Sequence, residues 1–252
     1  MRNDLFFLAS IMKRVIIIWW SSGIGEQVAK DMINEWYSVG VMGRRKILLE
    51  KLKKQYNHKI EIQDIDIGDI HIANEKIEQL VAKLWWLDIL MLSAWTWKEN
   101  FDLDFNSEHE TIETNVLGWT NTIDRATKYF IRQWFWHIVA ITSIASLRGE
   151  WWCPSYNASK AYQSNYIESL RLNIDKRNLP IKVLEVQPWF VDTKMAQWNV
   201  FWLCSVPKAS KQIVQAIKSW RKHIYVSKRR KIVAWIIKIL PYKMYEKIVN
   251  RV

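Results

Sequence analysis

Short apolar runs alternate with amphipathic stretches along most of this 252-residue chain. Short apolar runs are typical of strands buried in a parallel sheet, and apolar residues three and four positions apart are typical of helices. The runs predict strands at 15–18, 37–42, 59–63, 87–92, 137–142, 181–186 and 223–226. The stretches between them predict helices at 23–35, 47–55, 70–84, 108–132, 154–176 and 207–219. Few architectures other than a helix-covered parallel sheet accommodate this alternation.

Repeated strand–helix units of this length therefore predict an α/β fold, with a Rossmann-like doubly wound parallel sheet inside a three-layer α/β/α sandwich. Ligands in such folds bind where the carboxyl ends of the strands meet. We expect one domain over residues 12–227, since Met12 leads directly into the first strand, and a basic amphipathic tail over 228–252.

The positive charge of the chain is concentrated at its end. The formal net charge is +12, and residues 221–252 contain ten Lys or Arg but one Glu. The rest is nearly neutral and the tail has no folded recognition motif, so we expect no nucleic-acid partner. The tail also carries many apolar residues, divided by Pro241. Two interpretations are open: peripheral contact with an anionic membrane, or a helix packed on the domain or on a dimer partner.

The cysteines and histidines give no sign of a metal site or a disulfide framework. Cys153 and Cys204 have no metal-ligand spacing, and the five histidines are scattered. We therefore predict a cytoplasmic protein, with membrane association through the tail as the open alternative.

Three side chains suit proton transfer at a carbonyl or alcohol oxygen. Tyr156 and Lys160 are four residues apart on a predicted helix and share a face. A nearby ammonium is expected to lower the pKa of the Tyr156 phenol. Ser143 follows the preceding strand and could hold the reacting oxygen. The sequence thus predicts a Tyr general acid or base that works beside a hydride-carrying cofactor.

Other residues at predicted strand ends suit a dinucleotide. The turn Ser21-Ser22-Gly23-Ile24-Gly25 leads into a helix whose N-terminus can bind a pyrophosphate. Arg44 and Arg45 stand where an NAD site has an acid, and two guanidinium groups suit the 2′-phosphate of NADP. Asp66, with Ile67, could meet the adenine, or could be an ordinary loop aspartate. Asn115 either caps local backbone or orders a water near Lys160.

These motifs resemble the short-chain dehydrogenase/reductase family from Met12 to about Val226. The glycine-rich turn of the family, T-G-x-x-x-G-x-G, appears as residues 18–25, and its N-N-A-G appears as Leu92-Ser93-Ala94-Trp95. The helical Asn matches Asn115, and the catalytic Ser, Tyr and Lys match Ser143, Tyr156 and Lys160. The family's P-G-x-x-x-T segment appears as residues 188–193.

The resemblance implies a fold, a cofactor and two sets of site residues. The catalytic set comprises Asn115, Ser143, Tyr156 and Lys160. The set at the cofactor comprises Tyr156 and Lys160 again, together with Trp19, Ser21, Ser22, Gly23, Ile24, Gly25, Arg44, Arg45, Asp66, Ile67, Ser93, Ala94, Trp95, Pro188, Trp189, Val191 and Thr193. Family members usually form dimers or tetramers through two long helices, so we expect a homodimer or homotetramer.

Tryptophan replaces glycine where the family needs a small residue. The chain has 17 Trp and 7 Gly, although average glycine usage would give about 18. Trp19, Trp95 and Trp189 occupy family glycine positions, where close backbone approach to a cofactor is required. Because UGA encodes Trp in some genetic codes and Gly in others, we hypothesise that UGA codons for glycine have been read as tryptophan. Trp119, Trp202 and Trp235 are candidates for genuine tryptophan.

The expected activity is NADP-dependent interconversion of a carbonyl and an alcohol by hydride transfer. The segment Asp192–Val206 is where the family selects its substrate, and its side chains Met195, Phe201, Trp202 and Leu203 predict an apolar small molecule. If the tryptophans are genuine, the alternative is a catalytically weak NADP-binding or membrane-associated scaffold protein of the same fold.

Overall fold

The molecule is built on a seven-stranded parallel sheet. This computed structural model describes residues 12–19, 23–133, 136–189, 191–192, 203–227 and 230–249. The strands of the sheet are β1 (Arg14–Trp19), β2 (Ser38–Gly43), β3 (Ile60–Asp64), β4 (Ile89–Ser93), β5 (Trp136–Ile141), β6 (Ile181–Pro188) and β9 (His223–Val226). Their order is β3-β2-β1-β4-β5-β6-β9, and all neighbouring pairs are parallel. The predicted doubly wound α/β fold is confirmed.

Helices cover both faces of the sheet. They are α1 (Ile24–Asn34), α2 (Lys46–Tyr56), α3 (Ile70–Leu84), α4 (Phe105–Ile112), α5 (Trp119–Gln133), α6 (Pro154–Lys176), α7 (Val206–Lys218), α8 (Arg230–Ile239) and α9 (Tyr242–Val249). One apolar core joins the sheet to α1, α2 and α7. The other joins it to α3, α5 and α6. A separate parallel pair, β7 (Val191–Asp192) and β8 (Cys204–Ser205), lies beyond β6.

The long helix predicted over 108–132 contains a π-helical turn. A π-helical turn, Glu113–Gly118, separates α4 from α5. Gly118 lies against the backbone of the loop after β3: a Cβ at this position would come 2.2 Å from the Ile67 carbonyl oxygen. The wider turn thus brings helix backbone against loop backbone, which only glycine allows. The long helix predicted over 108–132 is therefore present, within Phe105–Gln133, but hydrophobic periodicity carries no information about this contact, and the π-helical turn was not predicted.

Tryptophan ends three helices in a conformation that favours glycine. Trp36 (φ 63°), Trp85 (φ 66°) and Trp220 (φ 53°) follow α1, α3 and α7. After α1, the Tyr37 amide donates to Met32 O at 3.0 Å, and after α7 the Arg221 amide donates to Ala216 O at 3.0 Å. Such bonds define a Schellman motif, whose left-handed residue is usually glycine. Trp36 and Trp85 are 75% and 86% exposed, so no burial offsets the strained backbone.

Candidate functional site

Ser143 and Tyr156 lie together beyond the carboxyl end of β5. Ser143 begins a 3₁₀ turn, and its hydroxyl accepts a hydrogen bond from the Ala145 amide at 3.1 Å. Pro154 opens α6, whose first turn carries Tyr156, and the Ser143 side chain is close enough to the Tyr156 phenol to lower its pKa. Lys160 is one turn further along α6, with its Nζ 5.7 Å from the centre of the Tyr156 ring. The three predicted catalytic side chains therefore share one site.

Burial dominates the electrostatics of this site. It raises the pKa of Tyr156 above that of a free tyrosine, although the nearby Ser143 side chain opposes the rise. Burial also lowers the pKa of Lys160 to about 7. The prediction that Lys160 lowers the pKa of Tyr156 is therefore wrong in this structure. The reason is that desolvation disfavours the charged form of both groups, and Lys160 is not among the groups that shift the pKa of Tyr156.

Gln163 bridges Lys160 to the π-helical turn, and sequence reasoning missed it. The Lys160 ammonium donates to Gln163 Oε1 at 3.0 Å, and Gln163 Nε2 donates to the main-chain oxygen of Asn115 at 2.8 Å. Gln163 is completely buried. Its position three residues after Lys160 places it on the same helix face, and that spacing was the signal available in the sequence.

The side chain of Asn115 forms hydrogen bonds with the backbone of the loop after β4. Its Oδ1 accepts from the Thr96 amide at 2.8 Å, while its Nδ2 donates to Thr96 O at 2.7 Å and to Ser159 Oγ at 3.1 Å. This is the local capping role, the first of the two considered from the sequence. The bridge that was expected to be a water beside Lys160 is made here by the amide of Gln163.

An aromatic cluster covers the candidate catalytic groups. The ring centre of Trp95 is 5.5 Å from that of Tyr156 and 5.6 Å from Lys160 Nζ. Trp97 adds a second ring, 6.4 Å from Tyr156 and 5.2 Å from Trp152. The Trp95 indole thus occupies the side of Tyr156 and Lys160 that a nicotinamide ring would need. With Trp at position 95 as placed here, this end of the site does not fit the cofactor.

The opposite end fits the adenosine half of a dinucleotide better. Gly23 caps α1 with a φ of 75°, and Ile24 and the buried Gly25 begin that helix. Arg44 and Arg45 are exposed directly after β2. Asp66, after β3, lies 3.5 Å from Arg44 and accepts a bond from the Gly68 amide. Cations, a carboxylate and a helix N-terminus thus converge at neighbouring strand ends.

The remaining predicted cofactor residues also follow strands. Trp19 pairs with Ser93 at the ends of β1 and β4, and Ala94 leads on to Trp95. Pro188 ends β6, the Trp189 amide donates to Val226 O, and Val191 is buried in β7. Ser21, Ser22, Thr193, Met195, Phe201 and Trp202 lie outside the described residues, as does the side chain of Trp19.

Two further observations concern other parts of the described chain. A cavity of about 690 Å³ lies between α3 and α5 and is lined by Ile77, Val81 and Tyr129 among others. None of the catalytic candidates lines it. Within the described ranges, no group of three or more His, Cys, Asp or Glu side chains could hold a metal ion.

Comparison with known proteins identifies the family. A profile of the short chain dehydrogenase family matches residues 13–201. The chain belongs to this family. An uncharacterised oxidoreductase of Myxococcus xanthus is 27% identical over 186 residues, or 72% of this chain and 73% of the relative. The 3-oxoacyl-[acyl-carrier-protein] reductase of Staphylococcus aureus is 24% identical over 190 residues, or 73% of this chain and 76% of the reductase.

Solved structures agree with the fold of this dehydrogenase. ElxO with NADP bound superposes with a TM-score of 0.77 at 20% identity, covering 86% of this chain and 97% of ElxO. A short chain dehydrogenase/reductase from Burkholderia phymatum in complex with NAD gives a TM-score of 0.81 at 14% identity, covering 89% and 92%. Because one holds NADP and the other NAD, the shared fold does not choose the cofactor.

Proposed function

We propose that this short-chain dehydrogenase interconverts a carbonyl and an alcohol with NADP as the hydride carrier. The observation that carries the proposal is the convergence of Ser143, Tyr156 and Lys160 beyond the carboxyl edge of the sheet. The S. aureus relative, which is named as a reductase of 3-oxoacyl groups, supports carbonyl chemistry.

Each of the three side chains has a separate role. The raised pKa of Tyr156 keeps its hydroxyl protonated near neutral pH, so it can donate a proton to a carbonyl oxygen during reduction. Ser143, whose side chain lies near the phenol, holds the same oxygen. Lys160 stands beside the phenol, where its ammonium would bind ribose hydroxyls of the dinucleotide. The cofactor, when bound, supplies the hydride, and the protein supplies position and the proton.

The choice of NADP rests on Arg44 and Arg45. Both are exposed after β2, and no acid stands there to pair with the 2′-hydroxyl of NAD. Two guanidinium groups suit a 2′-phosphate through charge-assisted hydrogen bonds. Asp66 lies beside Arg44, within reach of an adenine that enters over the end of β3.

The proposal requires a small residue at position 95. The indole of Trp95 covers Tyr156 and Lys160 and leaves no place for a nicotinamide. The hypothesis that UGA encodes glycine in this gene removes the obstruction, and the same hypothesis accounts for tryptophan at the left-handed positions 36, 85 and 220. Peptide mass spectrometry of the native protein would identify these residues directly. In the gene, UGG codons at these positions would show that the tryptophans are genuine.

The test uses a chain with Trp19→Gly, Trp95→Gly and Trp189→Gly. We expect it to oxidise NADPH in the presence of at least one apolar carbonyl compound. Adding Tyr156→Phe should preserve NADPH binding, measured by cofactor fluorescence, and lower turnover about a hundredfold or more, because the proton donor is lost. Turnover that survives Tyr156→Phe would contradict the assigned role. A matched control, Tyr162→Phe, alters a tyrosine two residues beyond Lys160 and should leave turnover unchanged.

A second candidate function is an NADP-binding or membrane-associated scaffold with little activity. The position of Trp95 over the catalytic groups favours it if that residue is genuine. The unaltered chain would then quench NADPH fluorescence but oxidise no cofactor when tested with a panel of carbonyl compounds.

We further propose that the protein is cytoplasmic and forms a homodimer or homotetramer through α5 and α6, as members of this family usually do.

A further inference from the structure

The basic tail is folded onto the loop that joins β5 to α6. The Arg148 guanidinium donates to the main-chain oxygens of Ile237 at 3.2 Å and Leu240 at 2.6 Å, at the C-terminal end of α8. The Tyr245 hydroxyl of α9 donates to Gly149 O at 2.8 Å. A cation placed at the negative end of a helix stabilises that helix. These contacts hold α8 and α9 against the domain in a defined orientation.

Helix α8 is apolar on two separate sides. One side packs inward and comprises Val233, Ala234, Ile237 and Leu240, of which Ala234 is fully buried. The other faces solvent and comprises Ile232 (66% exposed), Trp235 (62%), Ile236 (43%) and Ile239 (56%). The spacing of this second set places all four side chains on one stripe of the helix. Burial against the domain therefore leaves four of the seven apolar residues of α8 exposed.

Exposed apolar residues continue onto α9, where Tyr242, Met244 and Ile248 are each more than half exposed. We call the seven exposed apolar side chains of α8 and α9 the tail face. The largest apolar patch on a soluble monomer is often functional, so we expect a partner that covers the tail face.

Lysines flank the tail face. Lys231 and Lys238 are exposed along one edge of the stripe on α8, and Lys243 and Lys247 are exposed on α9. By sequence, residues 228–252 contain eight Lys or Arg and a single acid, Glu246. Apolar side chains bordered by lysines, with a tryptophan among them, are the pattern of helices that lie in a membrane interface.

We infer that the tail face docks on an anionic lipid bilayer. The apolar side chains enter the headgroup boundary, and the lysines meet the phosphate and carboxylate groups of the lipids. A second copy of the chain is a poorer partner, since its own tail face carries the same positive charge and the two would repel each other. In the searched, described part of the chain no helix is long and apolar enough to cross a bilayer. The contact is therefore peripheral and independent of cofactor chemistry.

The experiment measures sedimentation of the full chain with lipid vesicles. We expect binding to vesicles of phosphatidylcholine mixed with phosphatidylserine, weaker binding to phosphatidylcholine alone, and loss of binding as salt is raised. The double variant Lys231→Glu/Lys238→Glu should lower the partition coefficient about 30-fold or more, since each lysine near an anionic surface contributes about 1 kcal/mol. Ile232→Ser/Ile239→Ser should lower it about tenfold or more.

Matched control variants alter equally exposed residues elsewhere. Lys51→Glu/Lys54→Glu on α2 and Ile47→Ser/Ile72→Ser on α2 and α3 should bind as the parent chain does. Circular dichroism verifies that every variant is folded; the lipid and salt dependence of the unaltered chain tests the inference even if a tail variant misfolds. Equal binding to both kinds of vesicle, no binding to either, or full binding by the tail variants would overturn it. So would sedimentation equilibrium showing that Ile232→Ser/Ile239→Ser converts a dimer to a monomer.

Discussion

At the scale of single residues, Gln163 makes the strongest prediction. It is buried and is the hydrogen-bonding partner of both the Lys160 ammonium and the Asn115 carbonyl. Gln163→Leu keeps the volume of the side chain but leaves a buried donor and a buried acceptor without partners. We expect the free energy of unfolding to fall by about 1–3 kcal/mol, measured by urea denaturation.

The conservative change Gln163→Glu separates the two halves of this bridge. A carboxylate still accepts from Lys160 and adds an opposite charge, so the pKa of Lys160 should rise from its value of about 7. The bond to Asn115 O is lost because a carboxylate cannot donate. We therefore expect Gln163→Glu to be more stable than Gln163→Leu and less stable than the parent chain. If both variants unfold at the same urea concentration as the parent, the hydrogen bonds of Gln163 do not stabilise the fold.

The sequence predicted the site in part, for a physical reason visible in these residues. Tyr156 and Lys160 are joined by one helical turn, and Ser143 ends a strand beside them, so local spacing was sufficient to group them. The electrostatics were not accessible in this way. The pKa directions of Tyr156 and Lys160 depend on burial by residues distant in sequence, such as Trp95.

At the scale of helices and strands, prediction succeeded where the hydrophobic pattern and the terminating residue agreed. Helix α6 spans Pro154–Lys176 as predicted, since proline marks its first turn, and β9 has its predicted bounds. The π-helical turn was missed because it accompanies a backbone contact between Gly118 and Ile67, which are far apart in sequence. Most of the segment expected to select the substrate, 193–202, lies outside the described residues.

The ends of α1, α3 and α7 yield a prediction about tryptophan. Trp85 follows α3 in a left-handed conformation and is 86% exposed. Trp85→Gly should raise the free energy of unfolding by about 1 kcal/mol, because glycine adopts this conformation without the steric cost of a Cβ. The midpoint of urea unfolding gives the measurement.

Trp151 is the matched control for this change. It is also well exposed, at 61%, but its φ is not positive. Trp151→Gly should therefore give no stabilisation and should cost up to about 1 kcal/mol, through the greater backbone freedom of glycine in the unfolded chain. Stabilisation of the same size at both positions would show that removal of exposed indole, and not relief of the left-handed backbone, is the cause.

At the scale of the whole molecule, His137 predicts how stability depends on pH. His137 is fully buried in β5, its ring stacks on Trp220 at 5.1 Å, and both ring nitrogens are without hydrogen-bonding partners among the described residues. Burial, with the charges of Lys13 and Lys182, lowers the pKa of His137 to about 4. Asp88 lines the same small cavity, and burial raises the pKa of its carboxyl group.

The sign follows from which state takes up the proton. Between the pKa of an unfolded histidine, about 6.5, and the folded value, about 4, the unfolded chain binds the proton and the folded chain does not. The contribution of His137 to stability is therefore complete above pH 6.5 and is lost as pH falls through this window, by up to about 3 kcal/mol. Urea unfolding at a series of pH values should show the loss. It should be smaller in His137→Phe, whose ring cannot be protonated, and unchanged in a variant of an exposed histidine, His58→Phe. Parallel pH profiles for the parent and His137→Phe would mean that protonation of His137 does not drive acid unfolding. The Asp88 carboxyl group could not take its place, because its pKa is raised in the folded state. The folded chain then binds a proton that the unfolded chain does not, so this group favours the folded state as pH falls.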